Sequence, residues 1–151
     1  MKSIFKIKVI NLLNNITLLY MDKRLYLVIP FFAVNGVALL FPISKTSGQK
    51  VWFRPPPYVF AIVWPLLLLL IGYSWYLRPK LSYYYAFLTL LLSTWSIFWA
   101  YSKLYALFNI ICTLFFTLYL IFLKYSKKSS YLLIPLFLWL SFATVLNFYS
   151  I

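Results

Sequence analysis

The fourteen Lys and Arg residues and the single acid of this chain are placed so that five stretches carry no charge at all: 25–44, 55–77, 81–102, 104–123 and 129–151. They are 20, 23, 22, 20 and 23 residues long. A helix needs about 20 apolar residues to cross about 30 Å of hydrocarbon, so each stretch matches one membrane crossing. Helices suit lipid because they satisfy their own backbone hydrogen bonds. Barrel strands would be about half as long and would alternate polar with apolar residues; the run LLLLLI at 66–71 does not alternate. Composition points the same way. The chain is 65% hydrophobic and 10% charged, where a soluble domain carries about 25% charged residues. A length of 151 residues leaves room for one domain. The sequence therefore predicts an all-α integral membrane protein, a multi-pass bundle of five transmembrane helices. The bundle occupies 25–151, and the Lys- and Asn-rich segment 1–24 forms a tail or an interfacial helix. The expected spans are Leu25–Phe41, Tyr58–Leu77, Tyr83–Tyr101, Leu104–Leu123 and Leu132–Phe148.

Net charge is +13, with Asp22 as the only acid. In a soluble domain such a balance would suggest a nucleic-acid partner. Here the cations sit between the apolar stretches, so membrane lipid and topology account for them. One side of the bundle receives five cations from the N-terminal segment, two from the second loop and three from the fourth, ten in all. The other receives three from the first loop and one from the third, four in all. The excess places the N-terminus in the cytoplasm.

Several chemistries are excluded early. The sequence has no His, which removes the commonest metal ligand and acid–base group, and one acid outside the spans cannot complete a nucleophile–base pair. No metal, cofactor or catalytic residue is therefore expected. No carboxylate stands within a span to carry protons. Glycines occur only at 36, 48 and 72, too sparse for a phosphate-binding loop. Cys112 is alone, so no intramolecular disulfide can form. What remains is a pocket, a receptor or carrier for a hydrophobic ligand. The rival is a structural or regulatory membrane partner that binds no small molecule.

Three local patterns stand out, the first two where a pocket would be. RPPPYVFAIVW at 54–64 sets three prolines at the door of a span; proline lacks an N–H and suits a first helical turn. The stretch reads either as an ordinary helix start or as a rigid pocket lip lined by Trp52, Phe53, Tyr58 and Trp64, and Lys45, Lys50 and Arg54 on the same loop are placed to meet lipid headgroups or ligand carboxylates. In the last span, Trp139, Ala143 and Leu146 fall at i, i+4 and i+7 on one face, and Asn147 is placed to bond across the bundle. In the third span, Ala86, Thr89, Ser93, Ser96 and Ala100 form a stripe of small residues at spacings of 3, 4, 3 and 4. Such stripes let helices approach closely, here a neighbouring helix or a second copy.

RPPPYVFAIVW, GYSWY at 72–76 and PLFLWLSFATVLNFY at 135–149 resemble the TspO/MBR translocator protein family. The carrying residues are Pro55, Pro56, an aromatic at Tyr58 and Trp64 in the second span, then Trp139, Phe142, Ala143, Thr144, Leu146, Asn147 and Phe148 in the fifth. The third-span motif is partly present as Trp95 and Ser96, with Leu92 at its Asn position and Ile97 at its Pro. A fourth-span Asp of the family falls on Asn109. The resemblance implies a five-span bundle that binds a porphyrin or another flat hydrophobic molecule, and it adds Trp95 to the pocket. It also implies a homodimer through the third-span stripe. No Lys or Arg follows Tyr149, so sterol recognition of the animal type is not expected. Light-dependent porphyrin breakdown is disfavoured, because one of the family's pocket tryptophans is Tyr58 here.

Overall fold

A computed structural model describes residues 3–10, 22–43, 50–123 and 126–151. All regular structure among them is helical: α1 (3–10), α2 (Leu25–Leu40), α3 (Pro57–Leu77), α4 (Ser82–Tyr101), α5 (Lys103–Phe122) and α6 (Lys127–Tyr149). A 3₁₀ turn, Pro79–Leu81, leads into α4. Four helical stretches are long and apolar enough to cross a membrane: α3, Pro79–Tyr101, α5 and α6. The fifth expected span is α2, an apolar helix of 16 residues. At 1.5 Å per residue it covers about 24 Å, short of a full hydrocarbon core. Among the described residues there are thus four full-length candidate spans and one shorter apolar helix, the pattern of a multi-pass membrane protein.

The helix ends follow local chemistry. Pro57 opens α3 behind Pro56, whose extended backbone (φ −56°, ψ 151°) turns the chain into the first turn. Ser102 alone separates α4 from α5, also extended (φ −156°, ψ 121°), so the two helices double back as a tight hairpin. Helix α6 starts five residues before the expected Leu132. Ser126 caps it by accepting from the Ser129 N–H at 3.5 Å, and Lys127 and Lys128 are exposed in its first turn. A charge count stops at a lysine; a helix does not, because its ammonium can reach water along a flexible stem.

The five longer helices close a ring in which each packs on two neighbours, in the order α2, α3, α6, α5, α4 and back to α2. Gly72 explains how close α2 and α3 come: a Cβ there would lie 2.2 Å from the Leu27 carbonyl oxygen. Leu68, Ile71, Leu88, Leu120, Leu133 and Leu140 fill the middle of the ring and are buried. At the end where α3 stops, polar groups tie the helices together. Ser74, Tyr85 and Ser129 share hydrogen bonds of 2.6 to 3.1 Å. Fully buried Arg78 donates to the Leu120 carbonyl at 3.1 Å, to the Ser126 carbonyl at 3.4 Å and to Ser130 Oγ.

The small-residue stripe of α4 serves this ring. Thr89, Ser93 and Ser96 are buried within one chain, Ala100 is half-buried and only Ala86 is exposed. The hydroxyls of Thr89 and Ser93 each return to the carbonyl four residues back, at 2.8 Å. Ser96 Oγ donates to the Ser93 carbonyl at 3.1 Å. Thr89, Ser93 and Ser96 thus pack within the chain, while Ala86 keeps an open face.

Candidate functional site

At the opposite end, where α3 begins and α6 finishes, the ring does not close. A cavity of about 440 Å³ lies there, within the 300–1,000 Å³ typical of small-molecule pockets. Four of the six tryptophans line it: Trp64 from α3, Trp95 and Trp99 from α4, and Trp139 from α6. Helical spacing brings them together. Phe60 and Trp64 are one turn apart on α3, Trp95 and Trp99 on α4, and Asn109 and Thr113 on α5; all six reach the wall. The Trp95 and Trp99 rings stack at 5.4 Å. Trp139 stands edge-on to Phe60 at 5.5 Å and to Trp64 at 6.5 Å. Ala143 and Leu146 continue the Trp139 face as a low floor.

Polar groups are few and specific. Trp95 Nε1 donates to Asn147 Oδ1 at 3.2 Å, and Asn147 Nδ2 donates to the Ala143 carbonyl at 2.8 Å, so Asn147 makes the expected bond across the bundle. Asn109 Nδ2 donates to Thr94 Oγ1 at 3.2 Å. Arg54, half-buried at the rim, donates to Ser150 Oγ at 2.7 Å. Lys103 lies 4.3 Å above the Trp99 ring. Since Asp22 is the only acid in the sequence and lies just before α2, this end of the bundle is positive. Among the described residues, four buried side-chain polar atoms have no partner: Arg78 Nε, Trp99 Nε1, Asn109 Oδ1 and Trp139 Nε1. Three of them belong to residues of the cavity wall.

Of the residues expected at the pocket, Arg54, Trp64, Trp95, Trp139, Ala143, Leu146 and Asn147 meet at this cavity. Tyr58 does not; it is 65% exposed. It stands six residues before Trp64, about 240° around the helix at 100° per residue, and Phe60 takes the inward position. Trp52, Phe53 and Lys50 line a different hollow on the outside of α6. Lys45 lies outside the described residues. The sequence reading missed Phe60, Trp99, Asn109 and Thr113 as wall residues. A signal existed for the first two, one turn before Trp64 and one turn after Trp95.

A model of the TspO/MBR family matches residues 27–151. No curated protein matches the chain.

Proposed function

The chain belongs to the TspO/MBR family, and on that premise we propose that it is a membrane receptor or carrier for a flat, apolar, anionic molecule of the tetrapyrrole class. The observation that carries the reading is the cavity itself, four tryptophans around about 440 Å³ with Arg54 at its rim. Aromatic walls favour a planar π-system, with each ring contact worth about 0.5–1.5 kcal/mol beyond burial. A guanidinium at the water end suits a carboxylate. Buried polar atoms without partners are uncommon in native proteins, and their concentration around this wall is consistent with a site completed by a ligand. A bundle built only for packing would close the space with side chains larger than Ala143. Five crossings, a cytoplasmic N-terminus and a homodimer through the α4 stripe of Ala86, Thr89, Ser93, Ser96 and Ala100, which reaches the surface at Ala86, belong to the same proposal.

The test is a titration of the purified protein with protoporphyrin and with its dimethyl ester, followed by tryptophan fluorescence. Saturable quenching by both is expected, with the diacid binding more tightly. Quenching that grows linearly with either compound, as partitioning into detergent would give, would reject the reading.

A further inference from the structure

Outside the ring, on the outer side of α6, lies a second hollow of about 520 Å³. It shares no residue with the cavity, although the two stand back to back across α6 and the loop before α3. Phe142 faces it where Ala143 faces the cavity; Tyr149 and Ser150 divide in the same way, as do Phe53 and Arg54. Phe53 packs edge-on against Tyr149 at 5.6 Å and against Trp52 at 5.5 Å. The hollow thus has an apolar part, Phe142 and Val145, and a mixed end made by Tyr149, Trp52 and Lys50.

The level of that end in the membrane can be read from its side chains. Tyr149, 59% exposed, closes the last turn of a full-length candidate span, and Trp52, 94% exposed, lines the same hollow from the loop before α3. Exposed Trp and Tyr at such a position mark the interface between hydrocarbon and water. Lys50 is exposed at the same place, and the only acid of the sequence, Asp22, lies before α2. The hollow therefore spans from acyl-chain depth to headgroup depth, with a cation at the outer end.

We infer that this hollow holds an anionic phospholipid. One acyl chain lies along Phe142 and Val145, roughly a turn and a half below Tyr149 at 5.4 Å per turn, and the phosphate meets the Lys50 ammonium. A lipid in a concave, aromatic seat loses less contact than one against a smooth helix, and the lysine selects its headgroup. The inference is independent of what the inner cavity binds.

Native mass spectrometry of the detergent-purified protein with equal amounts of phosphatidylglycerol and phosphatidylcholine, matched in acyl chains, tests it. Phosphatidylglycerol should be retained about fivefold over phosphatidylcholine, the size of one lysine contact with an anionic lipid. Lys50→Glu should abolish the preference, and Val145→Trp, on an exposed position, should lower retention of both lipids by filling the hollow. Inorganic phosphate in excess should leave the bound lipid in place. Equal retention of the two lipids by the parent, an unchanged preference in Lys50→Glu, or displacement by inorganic phosphate would each overturn the inference.

Discussion

Trp139 joins three rings, Phe60, Trp64 and Phe142, at centroid distances of 5.5 to 6.5 Å. Removing it strips the cavity of a wall that α3 and α6 share. Trp139→Ala should weaken protoporphyrin binding by about 1–3 kcal/mol, the range for a large apolar contact, measured by titration of a protein whose helical circular dichroism is unchanged. Gly72 is the opposite case, a residue that works by having no side chain. Gly72→Ala would drive a Cβ to 2.2 Å from the Leu27 carbonyl. It should cost about 1–3 kcal/mol, the usual range for overpacking, read as a lower thermal midpoint. Arg78 is buried and fans out to three acceptors on α5, on α6 and before it. Arg78→Lys keeps the charge but loses the planar fork. At about 1 kcal/mol per hydrogen bond lost, a melting point clearly below the parent's is the expected outcome.

The helices were more legible than their roles. Charge-free runs found all five longer helices, because a charge inside a span is costly and sequence shows charge directly. They failed at the ends for identifiable reasons. Lys127 and Lys128 start α6 although charged, and α2 falls short of a full span although its charge-free window has 20 residues. The α4 stripe shows a different limit. Its spacing announces close packing, and spacing alone does not name the partner; Thr89, Ser93 and Ser96 are buried within the chain, while Ala86 is exposed. Ser93→Leu should therefore lower the thermal stability of the single chain by about 1–3 kcal/mol through overpacking. A variant that melts like the parent and loses only self-association would place Ser93 at the dimer interface instead. At the site, the face of α6 was readable from Trp139, Ala143 and Leu146. Asn109 and Thr113 were not, because only the closing of α5 against α4 and α6 turns their face inward.

Taken as one molecule, the bundle has two unlike ends. One is tied by Arg78 and the Ser74, Tyr85 and Ser129 cluster. The other holds the cavity, with Arg54 and Lys103 beside it. With the proposed cytoplasmic N-terminus, the tied end would face the cytoplasm and the cavity the far side. Reporter fusions after residue 22 and after residue 50 should then report opposite sides of the membrane. Fusions on the same side would mean that α2 does not cross. The proposed tetrapyrrole site is the tryptophan-lined cavity inside the ring. Ala143 is buried on that wall, so Ala143→Phe fills the space without removing any polar group. The decisive measurement is the protoporphyrin affinity of Ala143→Phe beside the parent, in protein of equal helical content. A loss of saturable binding is the expected result; an affinity equal to the parent's would place the ligand somewhere else.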